Sequence, residues 1–140
     1  MKSIYFQNHV VTLTYDDELQ LGIAVWDGFL KSQEFRDAVE VCLRMMEEYK
    51  PLRWLGDNRK LRAIRAADQD WFVEYAIPRL AAGTIRRNAS IVSEDLFNKM
   101  AVEQIIKRAE NLGDMLLRDF ENEHDARAWL SEPIVIQKQA

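Results

Sequence analysis

Apolar residues recur along the chain with two different periods. In residues 10–15 and 19–26 every second position is apolar, and an acidic turn separates the two runs. A period of two around such a turn predicts an antiparallel β-hairpin. In residues 35–46 the apolar positions are instead three and four residues apart. That spacing predicts a long helix with one buried stripe, which has Ser32 as its N-cap and ends before Pro51.

After this helix the pattern alternates between short apolar strands and amphipathic helices. Parallel strands need a crossover helix between neighbours, so the order ββαβαβαβα predicts an α/β domain. We expect a mixed sheet of about five strands packed by about four helices. Pro78 interrupts the first of the later helices, and a kink or an early end is expected near Ala76. The predicted strands lie around Trp54, at 88–92 and at 115–120, and the predicted helices lie at 68–82, after the N-cap Ser93 and after the N-cap Asn122.

The composition indicates a single domain over residues 1–140, with an apolar tail over residues 133–140. The chain has 19 Lys and Arg against 23 Asp and Glu, a formal net charge of −4. An acidic chain has no general electrostatic attraction to nucleic acid. No run approaches the roughly 20 apolar residues of a membrane helix, no signal peptide is evident, and Cys42 is the only cysteine. We therefore expect a cytoplasmic protein without disulfides, cofactors, nucleic-acid partners or membrane insertion.

Six short segments at the ends of the predicted elements share packing and capping residues. They are Trp26-Asp27-Gly28-Phe29, Ser32-Gln33-Glu34-Phe35, Arg53-Trp54-Leu55-Gly56-Asp57, Asp68-Gln69-Asp70-Trp71, Ala89-Ser90-Ile91-Val92 and Asp125-Ala126-Arg127-Ala128-Trp129-Leu130. With the order of elements, they resemble the SpoIIAA-like branch of the STAS domain superfamily over nearly the whole chain. The resemblance implies a single-domain SpoIIAA-like fold and a non-enzymatic regulatory or protein-interaction module. None of the segments is a chemical motif, so they bear on fold more than on role.

One functional feature of that superfamily is missing. In its anti-sigma-factor antagonists, a serine is phosphorylated at the start of the helix after the third strand. The corresponding residues 57–68 contain no Ser, Thr or Tyr. We therefore expect partner binding that phosphorylation at this place does not control.

Polar residues follow the strand around Trp54, whose ring we expect to be buried. Asp57, Asn58 and Arg59 come next, and they are expected to open a loop that extends to Ala66. In sheets of this kind, ligand and partner sites lie just past the carboxyl ends of the strands. An acceptor, an amide and a guanidinium there could grip a small anion or a loop of a partner. The alternative is a turn held by its own side chains, with a solvated arginine.

Basic and aromatic side chains continue this candidate site. Arg62 and Arg65 add to a basic segment within an acidic chain, which could bind phosphate, nucleotide or an acidic protein surface. The alternative for these cations is ordinary solvation. Trp71 lies near the start of the next helix, where one ring edge could reach a ligand, and ordinary packing is again the alternative.

A second class of function stays open, namely a binder of a small apolar or anionic ligand between the sheet and a mobile helix. A pocket lined by Trp71, Phe72 and Tyr75 would favour that binder, and a flat apolar face would favour the interaction module. Two converging carboxylates would favour an enzyme. Enzymatic function ranks third, because the sequence shows no constellation for acid–base catalysis. His9 and His124 have no partners at metal-ligand or catalytic-triad spacing.

Two apolar segments lie outside the strand–helix alternation, Ile4-Tyr5-Phe6 and Ile134-Val135-Ile136. Exposed segments with strand propensity need cover from their own chain or from a neighbour. Because closed two-fold association is the commonest solution, we expect a homodimer. The alternative is that both segments fold back onto their own domain.

Overall fold

The computed structural model describes residues 1–62, 64–93 and 95–135, apart from the side chains of Leu96 and Phe97. A mixed sheet carries helices on both of its faces. The strands are β1 Lys2–Gln7, β2 Val11–Asp16, β3 Leu21–Phe29, β4 Arg53–Arg62, β5 Arg87–Ile91 and β6 Leu116–Phe120. The helices are α1 Ser32–Tyr49, α2 Ala66–Trp71, α3 Ile77–Ala82, α4 Leu96–Arg108 and α5 Glu123–Ser131.

The six strands lie in the sheet in the order in which they occur along the chain. β1, β2 and β3 form an antiparallel meander, whereas β3, β4, β5 and β6 are parallel. The α/β class, the hairpin and the mixed sheet are therefore confirmed. β1 adds a strand to the five expected, and it covers the edge of β2 that would otherwise be exposed.

The helices divide between the two faces of the sheet. α1, α2, α3 and α4 cover one of them, the helical face. These helices lie between neighbouring parallel strands, and each new strand is added on the same side of the one before it. Because such strand–helix–strand crossovers all have the same hand, their helices lie on the same face of the sheet. α5 follows the last strand and covers the opposite face, the α5 face. The core of the helical face includes Trp26, Phe35, Cys42, Trp54 and Leu80, and that of the α5 face includes Ile23, Leu55, Ile91, Ala126 and Leu130.

Two arginine side chains hold the C-terminal end of α5. Arg53 begins β4 and Arg87 begins β5, where they are register partners. Arg53 donates from Nε and Nη1 to the carbonyl oxygens of Leu130 and Leu19 over 2.5 and 2.6 Å. Arg87 donates from Nη1 to the carbonyl oxygen of Trp129 over 2.6 Å. The last carbonyls of a helix lack partners within it, so the two cations satisfy them and complement the helix dipole.

The helical segment does not end early near Ala76 but continues from Ala66 to Ala82. Residues Phe72–Ala76 form a π-helical turn that ends two residues before Pro78. Proline has no N–H for the carbonyl four residues earlier, and the wider turn accommodates that missing hydrogen bond.

Two predicted N-caps are wrong, because neither serine occupies the N-cap position, although the Ser93 hydroxyl oxygen accepts from the backbone N–H of Asp95 over 3.1 Å. α1 begins at Ser32 itself, and the Ser32 hydroxyl donates to Oδ2 of Asp68 over 2.9 Å. α4 is capped by Asp95, whereas the Ser93 hydroxyl donates to the carbonyl oxygen of Leu61 over 2.8 Å. Each serine thus links two elements that are distant in sequence.

The apolar terminal segments have different surroundings. Tyr5 and Phe6 pack on the core of the helical face as part of β1, so their own chain covers them. Ile4 is 63% exposed and Val135 is 84% exposed. Ile136 lies outside the described residues. The homodimer stays a prediction.

Candidate functional site

β4 continues through residues that were predicted to form a loop. It ends at Arg62, which has an exposed side chain and pairs with Phe29 of β3. The prediction of a loop from Asp57 to Ala66 is therefore wrong for residues 57–62. The pairing with β3 overrides the turn preference of Asp and Asn, because strand preference depends strongly on neighbouring strands.

The strand conformation separates the three polar residues of the candidate site. Successive side chains of a strand point to opposite faces of the sheet. Asp57 and Arg59 lie on the α5 face, where Nη2 of Arg59 is 3.6 Å from Oε1 of Glu123. Asn58 lies on the helical face. The three side chains therefore do not converge on one ligand.

Asp57 and Arg59 form a bidentate ion pair. Arg59 donates from Nη2 and Nε to the two carboxylate oxygens over 2.6 and 3.0 Å, and its backbone N–H adds a hydrogen bond of 3.1 Å. Burial raises the pKa of Asp57, but the hydrogen bonds and the charge of Arg59 outweigh it, so this pKa lies below its ordinary value. An external anion at Arg59 would have to compete with this carboxylate.

Arg65 and Trp71 belong to a cluster that joins the N-terminal end of α1 to α2. Nη1 of Arg65 lies 3.5 Å from Oγ of Ser32. The buried carboxylate of Asp68 accepts from Ser32 and also from Nε of Arg36, the latter over 3.1 Å. The Arg36 guanidinium lies 5.2 Å from the centre of the Trp71 ring, within range of a cation–π contact. Ser32, Arg36 and Asp68 thus hold two helices together, whereas the side chain of Arg65 is exposed.

A cavity of about 130 Å³ lies between the sheet and the helices of the helical face. Of the pocket residues expected from the sequence, Phe72 lines it. Trp71 and Tyr75 do not, and their rings stack on each other with centroids 5.0 Å apart. Helices supply most of the apolar wall, with Phe35, Val39, Cys42, Leu43, Met46, Phe72, Ala76, Ile77, Leu80, Val102 and Ile105.

The floor of the cavity is formed by β4 and β5. Gly56 and Ser90 are register partners at its centre. A Cβ atom on Gly56 would meet no atom closer than 3.8 Å, the carbonyl oxygen of Ala89. The void therefore lies where the middle of the sheet lacks a large side chain.

Polar side chains on this floor meet in a buried hydrogen bond. Nδ2 of Asn58 donates to Oγ of Ser90 over 2.7 Å. Asn88, two residues before Ser90, also lines the cavity. Asn58 was predicted as a site residue from the sequence, whereas Ser90 and Asn88 were not. The signal was available, since positions 88 and 90 are polar and share one face of an otherwise apolar strand.

Cys42 of α1 lines the same cavity, and burial raises the pKa of its thiol to about 12. We expect the native protein to resist Ellman's reagent at pH 8, because only about one thiol in 10,000 is then ionised. The measurement compares the reaction rate of the native protein with its rate in guanidinium chloride, where the thiol regains its ordinary pKa. Rapid stoichiometric labelling of the native protein would contradict the buried position.

The described residues contain no group of three His, Cys, Asp or Glu side chains arranged for a metal ion. No helix in the same part of the chain is long and apolar enough to cross a membrane. The chain matches no protein-family model and no curated protein. A solved structure does match: an uncharacterized protein from the DUF3478 family with a SpoIIAA-like fold, from Shewanella loihica PV-4. The two align with a TM-score of 0.54 and 13% identity, over 93% of this chain and 92% of that one.

The chain has a SpoIIAA-like fold. The resemblance drawn from the sequence is thereby confirmed at the level of fold. At 13% identity the likeness carries no information on role. What this SpoIIAA-like chain binds must therefore be argued from its own cavity and surface.

Proposed function

We propose that this SpoIIAA-like domain is a cytoplasmic, non-enzymatic regulatory module that binds a small, largely apolar molecule. The binding site is the cavity of about 130 Å³ between the sheet and the helices, and this cavity is the observation that carries the proposal. Protein interiors normally pack as densely as organic crystals. Unfilled space of this size between packed elements is therefore unusual, and a bound molecule would restore the contacts that its apolar walls lack.

The lining of the cavity fits a binding site better than a catalytic one. Apolar walls with a few polar groups are typical of small-molecule sites. Its polar groups are the side chains of Asn58, Asn88 and Ser90, which do not titrate near neutral pH. The thiol of Cys42, with its pKa of about 12, is no general base at that pH either. General acid–base catalysis needs a group poised near the working pH, so binding is the better-supported role.

Benzene tests the proposal, because an engineered cavity of about 150 Å³ in another protein holds this ring. At ten times its dissociation constant, benzene should stabilise the wild type by about 1.4 kcal/mol, which raises the melting temperature. Gly56→Val places a side chain at the centre of the void. The variant should itself be more stable by roughly 0.5–1 kcal/mol, because glycine is unfavourable in a strand. It should also show no benzene shift.

Thr14→Val is the matched control, because Thr14 pairs with Ile23 on the α5 face and is remote from the cavity lining. This variant should keep the full benzene shift. Equal shifts in the wild type and in Gly56→Val would contradict binding in the cavity, as would the absence of any shift in the wild type.

A second candidate function is the binding of a protein partner without phosphorylation. Phe29, at the carboxyl end of β3, is 60% exposed and is the register partner of Arg62. Arg65 follows shortly after β4, with an exposed side chain. Aromatic and arginine side chains carry much of the binding energy at protein interfaces. This candidate assigns the partner contact to Phe29, Arg62 and Arg65 at that edge of the sheet.

A further inference from the structure

We infer that the ligand of the cavity is an uncharged molecule of about ring size that carries one hydroxyl group, and that Asn58 and Ser90 hold this hydroxyl. This rests on the proposed function of the cavity and names the chemical class of its ligand. Three properties of the site lead to it: the hydrogen-bonding capacity of the floor, the lack of charge in the lining, and the volume.

The hydrogen-bonding capacity comes mainly from one buried pair of side chains, since the third polar side chain of the lining, Asn88, directs its amide nitrogen to Sδ of Met115 over 3.9 Å. Asn58 is 9% exposed and Ser90 is 8% exposed, and the amide nitrogen donates to the hydroxyl oxygen. The hydroxyl hydrogen of Ser90 and the amide oxygen of Asn58 make no hydrogen bond to any of the described residues. The pair therefore presents the hydroxyl hydrogen of Ser90 as a donor and the amide oxygen of Asn58 as an acceptor, beside the second amide N–H of Asn58.

This capacity does not depend on how the amide is oriented. With the amide reversed, Ser90 donates to the amide oxygen, and the amide nitrogen and the hydroxyl oxygen are then left over. At least one donor and one acceptor remain in either orientation. A ligand hydroxyl both donates and accepts, so it can bind one donor and one acceptor of the pair at once. An ether or ketone only accepts, and it would leave a buried acceptor without a partner, which costs free energy.

The lining selects against charged ligands. Among the described residues, those that line the cavity include no Asp, Glu, Lys, Arg or His. A carboxylate or ammonium group would lose its hydration there without gaining an opposite charge, which costs far more than burying a neutral hydroxyl. The cavity thus favours the neutral member of any acid–base pair.

The volume sets the scale of the apolar group that the cavity can enclose. About 130 Å³ is slightly less than the engineered cavity of about 150 Å³ that holds benzene in another protein. One six-membered ring, or a branched chain with a similar number of carbon atoms, is therefore the appropriate scale. Phenol is the simplest compound that combines this size with a neutral hydroxyl.

Isothermal titration calorimetry of the folded protein at pH 7 with benzene, phenol and benzoate tests the inference. The three compounds share one ring, and at this pH only benzoate is charged. Phenol should bind the wild type about tenfold more tightly than benzene, because it satisfies the buried pair. Benzoate should bind at least about a hundredfold more weakly than phenol.

Two variants assign the selectivity to the polar pair. Asn58→Leu/Ser90→Ala replaces both polar groups with apolar ones of similar or smaller size, so phenol should lose its advantage while benzene still binds. Ser90→Ala alone removes one hydroxyl and should reduce the phenol preference, and it serves if the double variant does not fold. Thr14→Val should leave the preference for phenol over benzene unchanged.

The outcomes separate the inference from the proposed function. If phenol and benzene bind the wild type equally, or benzoate binds as tightly as phenol, the ligand class is wrong while the cavity remains a binding site. A phenol preference that persists undiminished in both variants would also overturn the role of Asn58 and Ser90. If none of the three compounds binds the wild type, the proposed function fails together with the inference.

Discussion

Replacing Trp54 with alanine is expected to lower the free energy of unfolding by roughly 3–5 kcal/mol, the range for truncation of a large buried aromatic side chain. Trp54 is 6% exposed at the centre of the helical face and belongs to its core cluster. Urea denaturation of the wild type and the variant measures the loss, provided that the slope with denaturant is unchanged. A loss below about 1 kcal/mol would contradict a central role for this ring in the core.

Gly22 provides the matched test of the same packing. Trp54 and Gly22 are register partners on β4 and β3, and a Cβ atom on Gly22 would overlap the indole ring. Gly22→Ala should therefore destabilise the wild type by roughly 1–3 kcal/mol, because the ring has to move within a packed core. In the Trp54→Leu background, Gly22→Ala should cause a smaller loss of stability than it does in the wild type. Additive effects in this double-mutant cycle would show that the two residues are not coupled.

The second large effect is expected from Leu130→Ala, which should lower the free energy of unfolding by roughly 2–5 kcal/mol. Leu130 is 1% exposed in the small core of the α5 face, which α5 alone covers among the described helices. Its carbonyl oxygen also accepts the hydrogen bond from Arg53, so the residue anchors α5 through both its side chain and its backbone. Urea denaturation measures the global loss. Amide hydrogen exchange over residues 123–131 should show faster local opening of α5.

Two further variants separate the contributions to this anchoring. Ala128→Ser lies on the exposed side of α5 and should change the stability by no more than about 0.5 kcal/mol. Arg53→Met keeps much of the side-chain volume but removes the donors to α5, so it too should accelerate exchange in this helix. Unchanged exchange over α5 in both Leu130→Ala and Arg53→Met would contradict the described docking.

The order and type of most elements could be predicted from the sequence. The hairpin of β2 and β3 and the helix α1 each show a clear apolar period, because each element must bury one of its sides. β1 was not counted among the five strands. Its register shifts between Ile4 and Phe6, and this bulge interrupts the period of two that marks a strand.

The candidate site could be predicted only in part. Asn58 was named and does line the cavity, whereas Asp57 and Arg59 lie on the other face of the sheet. They were grouped because they are adjacent in sequence and belong to residue types that favour turns. Once β4 extends to Arg62 beside β3, adjacency instead places neighbouring side chains on opposite faces.

The sequence by itself determined the class of fold, because the spacing of apolar residues in each segment decides whether it forms a helix or a strand and which side of it is buried. The tertiary structure decided where the cavity lies and what it contains. Ser90 meets Gly56 and Asn58 only through the pairing of β5 with β4, and helices from distant parts of the chain close the space above them. Because several elements together form the walls of the cavity, no single segment of the sequence carries a signal for it.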